Sequence, residues 1–213
     1  MATTKRKPLS RERILAAALE VADEQGIEAL SMRKLGQSLG YEAMSLYNHV
    51  ANKDDLLDGI LDLVLAEMEP PDQDGGLPAI RASAISAHEA LKRHPWAANM
   101  LMAPSRIRPA RIAYMEALLA ALRGAGLSAE TTYHAYHVLD AHIIGFSLWV
   151  STHGKMPDDV EDARAWFDRM IPVATLPYLH EHGLQHLEGG PHQDVSAFEF
   201  ALDLLLESLE RLR

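Results

Sequence analysis

Residues 30–60 read LSMRKLGQSLGYEAMSLYNHVANKDDLLDGI, and this stretch decides the fold. Ser31 is placed to cap a short helix in which Met32, Leu35 and Leu39 fall on one face. Gly40 supplies the tight turn that follows. A second short helix is expected over about Glu42 to His49, with Leu46 and Val50 turned inward. Asn52 then opens a longer helix whose first turn carries Asp54 and Asp55, charges suited to the positive end of a helix. Two short helices joined by a tight turn and flanked by longer helices make a helix-turn-helix module.

With the apolar positions turned inward, Arg33, Lys34, Gln37, Ala43, Met44, Ser45, Tyr47, Asn48 and His49 remain outside or at the edge. Hydroxyl, amide, phenol and imidazole groups reach base edges in a major groove, and Ala43 and Met44 can touch thymine methyls. Arg33 and Lys34 can grip phosphates from the preceding helix. Lys53 stands at a helix start, where free amides also favour a phosphate. A solvated polar face on a small helical bundle would give the same hydropathy pattern, so the pattern alone leaves both readings open.

Outward from this core the pattern stays helical. Upstream, Ser10 caps a helix running to about Gln25, with Ile14, Leu15, Ala18, Val21 and Ala22 on one face and Gly26 at its end. Residues 1–9 read as a basic arm. Downstream, Leu56, Leu57, Ile60, Leu61, Val64 and Met68 give the helix after Asn52 its apolar side. The segment EPPDQDGG, Glu69 to Gly76, is the strongest break in the chain. It suggests a domain of residues 1–68 followed by a second of residues 69–213. Further helices are expected near 78–93, 95–102, 106–123, 128–152, 160–180 and 194–212. Pro172 and Pro177 should kink or split the fifth of these, and residues 183–193 read as a loop. The expected class is all-α.

The stretch at 30–60 also closely resembles the DNA-binding domain of the tetracycline-repressor (TetR) family of bacterial regulators. The matching elements are Leu30 to Leu35, Leu39-Gly40, Ser45-Leu46-Tyr47, His49-Val50, Asn52-Lys53 and Leu56-Leu57. The resemblance implies that Arg33, Ser45, Tyr47, His49 and Lys53 contact DNA. Met44 and Asn48 occupy variable positions that would help set the operator sequence. With Lys34 these make the candidate DNA-binding set. The resemblance further implies double-stranded operator DNA as a partner, repression as the default outcome, and release by a small-molecule effector.

The last helix, within DVSAFEFALDLLLESLERLR, carries Val195, Phe198, Leu202, Leu205 and Leu209 at coiled-coil-like spacing, and Ala201, Leu204, Leu206 and Leu212 widen the stripe. It reads as a core helix or as half of a subunit interface. A helix-turn-helix protein reading a palindrome needs two copies, and the segment resembles the C-terminal dimer helix of the tetracycline-repressor subgroup. A homodimer interface is therefore expected at Gly145, Leu148, Phe198, Leu202, Leu205 and Leu209, with Ala141 allowing close approach.

The same resemblance implies an effector cavity. Aligned through Gly126-Leu127-Ser128, the drug- and magnesium-contacting positions of the tetracycline repressor fall on Ala87, Leu101, Leu118, Ala141 and Trp149, all apolar. A magnesium–tetracycline chelate is not expected. An apolar or aromatic effector is, lined by Trp96, Met100, Met115, Leu118, His137, Ala141 and Trp149.

The 213 residues carry a net charge of −10, which alone argues against a nucleic-acid partner. The charge is uneven. Residues 1–53 hold 8 Lys+Arg against 6 Asp+Glu, and residues 54–213 hold 12 against 24. A mildly basic head on an acidic body suggests two roles. The absence of cysteine excludes disulfides and thiolate zinc sites and suits a cytoplasmic protein. No membrane span or secretory signal is expected. Eleven histidines invite a metal reading. His134, His137 and Asp140 share one helical face, and His180, His182, His186 and His192 cluster later. No HExxH, GxSxG, GxxxxGK or GxGxxG is present. No cofactor or metal is expected, and a helical metal enzyme built on His134, His137 and Asp140 stands as the alternative to a non-enzymatic regulator.

Overall fold

In the computed structural model the described residues are 8–103, 108–153, 160–187 and 196–213. They form eleven α-helices and one 3-10 turn, with no strand among the described residues. The helices are α1 (Arg11–Gln25), α2 (Met32–Leu39), α3 (Ala43–Leu46), α4 (Lys53–Ala66), α5 (Gly76–Arg93) and α6 (Pro95–Leu101). They continue as α7 (Pro109–Gly124), α8 (Ala129–His153), α9 (Val160–Met170), α10 (Pro177–Leu187) and α11 (Ala197–Glu210). The 3-10 turn, Ile27–Ala29, joins α1 to the extended residues before α2.

Helix starts follow from side-chain caps. The hydroxyls of Ser10, Ser31 and Ser196 and the Asn52 amide oxygen accept the free amides of Arg13, Lys34, Glu199 and Asp55 respectively. Pro95 and Pro109 open α6 and α7, where a missing N–H costs nothing. At the end of α2, Gly40 adopts φ 73°, a left-handed conformation that favours glycine.

The core runs without interruption from the first helices into the rest of the chain. Ile14, Leu30, Leu35, Leu46, Leu56, Ile60 and Leu61 are buried together in α1–α4, the head. Ile80, Leu91, Leu122, Leu127 and Phe198 continue the core into the body. Here α5 packs against α7, α8 and α11, while α4 reaches α5, α6 and α7. By position α4 is the shared wall.

Two expectations need correction, and the expected break at Pro172 and Pro177 is met. The second short helix is shorter than 42–49: α3 ends at Leu46, whose carbonyl accepts the amides of both His49 and Val50 and so closes the helix into a turn. The 160–180 segment is split into α9 and α10, as its two prolines led one to expect. Pro172 lacks an amide, and its carbonyl instead accepts the amides of Thr175 and Leu176 in the intervening turn. Residues 183–187, expected as loop, belong to α10. His192 and the side chain of His186 lie outside the described residues, as do residues 1–7 of the expected arm.

Candidate nucleic-acid interface and effector site

The polar face of the helix-turn-helix is built by what lies under it. Met32, Leu35, Leu46 and Val50 are buried beneath α2 and α3. Arg33, Lys34, Asn48 and Lys53 are exposed as a consequence, and Ser45 and His49 are half-buried. Two apolar-bodied side chains stand out against expectation for a simple solvated surface: Met44 is 74% exposed and Tyr47 44%. The eight candidate DNA-binding residues, none of them buried, lie on α2, α3, the turn after α3 and the first residue of α4.

Sequence reading passed over what sets this face. Gly36 lies where α2 and α3 approach: a Cβ there would stand 2.8 Å from the Tyr41 carbonyl oxygen and 3.1 Å from the Ala43 nitrogen. Only a residue without a side chain fits. Its carbonyl in turn accepts the Tyr41 amide at 2.8 Å. Arg11 fastens the other end. Its guanidinium makes a bidentate pair with Asp55, Nη2–Oδ1 2.7 Å and Nη1–Oδ2 2.9 Å, and donates to the His49 carbonyl at 3.1 Å. The Arg11 hydrogen bonds, joined by one from the Ala51 amide, hold the Asp55 carboxyl down at about 2. These contacts tie α1, the end of the recognition segment and α4 into one unit.

The head is also fastened to the body. Asp23, near the end of α1, accepts hydrogen bonds from Trp96 Nε1 at 2.8 Å and faces His94 Nδ1 at 2.8 Å. His94 Nε2 faces Glu67, just beyond α4, at 3.2 Å, and Arg93 pairs with the same carboxylate at 2.6 Å. Burial pushes the Glu67 carboxyl up, but the hydrogen bonds from Arg93 and His94 outweigh it and hold the group below its ordinary value. On the far side of α4, Arg108 bridges Asp58 at 3.2 Å and Asp62 at 2.7 Å, joining the start of α7 to α4. These polar ties pair residues far apart in sequence, and periodicity carries no signal of them.

Of the seven effector candidates, two line a cavity formed by the described residues. Trp96 and Met100 line a cavity of ≈ 520 Å³ between α6, the end of α8 and residues Gly26–Glu28 of the head. Leu118 is buried in the core, and Met115 is half-buried and packed against it. His137 and Ala141 are exposed and Trp149 is 45% exposed. These three stand with Tyr133 and Gly145 at every fourth residue of α8, a single outward stripe. The reason is geometric: the buried side of α8 is used up by Ala135, Leu139, Ile143 and Ile144 against its own body.

The interface candidates divide in the same way. Phe198 and Leu202 are buried within the chain, where they hold α11 against α5 and α8, so neither is on an open face. Leu148, Leu205 and Leu209 are half-buried, and Gly145 is exposed. The exposed apolar residues of α11 are instead Phe200, Leu204 and Leu212. Val138 of α8, Leu205, Leu209 and Leu212 line an apolar groove of ≈ 210 Å³ between the two helices.

The histidine cluster is dispersed. His134 and His137 are exposed, with His137 Nδ1 2.8 Å from the Tyr133 carbonyl. The Asp140 carboxylate turns the other way, onto Arg111. Among the described residues no three His, Asp or Glu side chains come together as a metal site, and no helix is long and apolar enough to cross a membrane.

Comparison with known proteins agrees with this architecture. Residues 14–60 match the family model described as bacterial regulatory proteins, tetR family. Residues 70–213 match the tetracyclin repressor-like C-terminal domain. The HTH-type transcriptional repressor DrrR1 of Streptomyces coeruleorubidus is 30% identical over 96% of this chain and 78% of its own length. The class D tetracycline repressor protein of Escherichia coli is 30% identical over 95% of this chain and 89% of its own. The crystal structure of the Streptomyces coelicolor TetR family protein ActR in complex with actinorhodin superposes with a TM-score of 0.69 at 28% identity, covering 95% of this chain and 97% of that one. The chain belongs to the TetR family of DNA-binding transcriptional repressors.

Proposed function

We propose that this protein acts as a homodimer that holds a palindromic operator through residues 1–68 and is released from it when a small organic effector binds residues 69–213. The observation that supports the operator reading best is the exposure of Arg33, Lys34, Met44, Tyr47, Asn48 and Lys53, with Ser45 and His49 half-buried among them, on short helices whose apolar residues Met32, Leu35, Leu46 and Val50 are buried. Cations and amide donors there meet phosphates, while Met44, Ser45, Tyr47 and Asn48 reach base edges. Two copies are needed because one short helix reads only half a site. The outward stripes of α8 and α11 are the surface we assign to that pairing. The protein works without catalysis, in the cytoplasm.

Release follows from how the head is held. The α4 wall touches both head and body: its Asp58 and Asp62 are tied to Arg108, and Glu67 at its end to Arg93 and His94. An effector that displaces α6 or α7 pulls on α4 through these pairs and tilts the two heads. Operator half-sites one helical repeat apart, about 34–36 Å, tolerate little change in head spacing. Selection of a binding sequence from a random pool of DNA duplexes, with sedimentation of the complex, tests the reading. Recovery of a palindrome bound by two chains is expected, and recovery of no sequence would overturn it.

A further inference from the structure

The cavity of ≈ 520 Å³ at the seam between head and body is of the size that holds small organic ligands. Its walls come from three places. Gly26, Ile27 and Glu28 of the head form one side, Trp96, Asn99 and Met100 of α6 the other, and Ser151 of α8 closes the end. The Trp96 indole N–H is already spent on Asp23, so its ring offers the cavity apolar surface. Ile27 and Met100 extend that surface. Glu28 is the charged member. Its Oε2 folds back to within 3.2 Å of where a Cβ on Gly26 would stand, and no ion pair holds it among the described residues. No described lining residue is basic. An anion entering here meets an uncompensated carboxylate. Glu28 is exposed, so a neutral ligand seated beside it takes water from the carboxylate without replacing it, whereas an ammonium group answers it and stacks favourably on an indole.

We propose that this seam is a binding site for a small organic cation, an apolar or aromatic body carrying an ammonium group that pairs with Glu28. Its occupation presses the Ile27–Ala29 turn away from α6. That turn follows directly on α1, whose Asp23 is the body's anchor on the head. A ligand here therefore acts on head position directly, without passing through α4. The coupling to DNA rests on the operator reading above, but the binding itself does not.

The probe is N,N,N-trimethyl-1-naphthylmethylammonium, a permanent cation, with 1-naphthaleneacetate as an anion of similar size. Both are titrated calorimetrically into the full chain, into Glu28→Gln, and into Asn99→Trp, which fills the cavity from its exposed rim. The cation is expected to bind, with affinity at least tenfold weaker in Glu28→Gln and lost in Asn99→Trp. The anion is expected not to bind. Thermal unfolding checks that both variants fold. No binding of the cation to the natural chain, equal binding to Glu28→Gln, or equal binding of the anion overturns the proposal. With operator duplex present, the cation lowers affinity several-fold in the natural chain but not in Glu28→Gln. Glu28-dependent binding with unchanged operator affinity overturns the coupling alone, and absence of any operator binding overturns the repressor reading while leaving the cation result standing.

Discussion

Trp96 and Asp23 are joined by a hydrogen bond of 2.8 Å that crosses from the body to the head, and His94 faces the same carboxylate at 2.8 Å. Trp96 and His94 are 7% and 6% exposed, so neither ring finds water readily as a substitute partner. Replacing Asp23 by alanine leaves a buried indole N–H unanswered. A loss of about 1–3 kcal/mol in unfolding free energy is expected, read from the urea midpoint. An unchanged midpoint would mean that the pair contributes nothing to holding the head.

A second expectation concerns acid. His88 stacks on Phe198 with ring centroids 3.9 Å apart, and its Nδ1 lies 2.8 Å from Ser147 Oγ. The Ser147 hydroxyl donates to the Ile143 carbonyl, so it accepts from the ring. Burial, aided by Lys92, lowers the His88 imidazole from 6.5 to about 4. The unfolded chain therefore takes up a proton near pH 6.5 that the folded chain refuses until about pH 4. Stability carried by neutral His88 is whole above pH 6.5 and falls as the pH drops from there toward 4, by up to about 3 kcal/mol. His88→Gln should flatten this part of the profile. Parallel profiles for the two proteins between those limits would rule the assignment out.

The crossing of α2 and α3 gives a third. Alanine at Gly36 puts a methyl 2.8 Å from the Tyr41 carbonyl, a backbone atom that cannot swing aside. Overpacking of this kind costs about 1–3 kcal/mol. Because it forces the recognition segment off α2, operator affinity is expected to fall at least tenfold even at temperatures where the variant is fully folded. Fluorescence anisotropy on the selected duplex measures it, and natural affinity in a folded Gly36→Ala protein would contradict it.

The outward stripes give a fourth. Leu204 is 50% exposed on α11, next in sequence to Leu205, which lines the groove shared with α8. A charge placed there remains solvated in a single chain but is buried when two chains pair, which is costly. Leu204→Glu should sediment as a monomer at micromolar concentration with unchanged helical content. A dimer of undiminished affinity would place the interface elsewhere.

The head was largely legible because its positions obey local rules. Ser10 and Ser31 cap their helices as read, the helix after α3 opens at Asn52, Gly40 turns left-handed, and Leu35, Leu46 and Val50 are buried. The body was less so. Hydropathy shows wide apolar stripes on α8 and α11, but not which part of each stripe is kept for the chain's own core. That is decided by where α5 and α7 pack, which local pattern does not encode. Hence Phe198 and Leu202, expected at a subunit interface, are buried within the single chain, while His137, Ala141 and Trp149, expected among the cavity lining, share the outer stripe of α8 with Gly145. Long-range polar ties such as Arg11–Asp55 and Arg108–Asp62 leave no periodic trace at all. Charge was the most misleading feature, since the total of −10 hides a head in which residues 1–53 hold 8 Lys+Arg against 6 Asp+Glu.

The central claim is that the face formed by α2, α3 and the start of α4 binds DNA. Its most direct measurement is the affinity of Tyr47→Ala/Lys53→Ala for the selected duplex across a range of salt. Both side chains are exposed and neither supports the core, so the variant should fold and pair as the natural chain does. The account predicts a loss of about a hundredfold or more in affinity and a salt dependence shallower by about one unit, the signature of one lost phosphate contact. Natural affinity with an unchanged salt slope would contradict it.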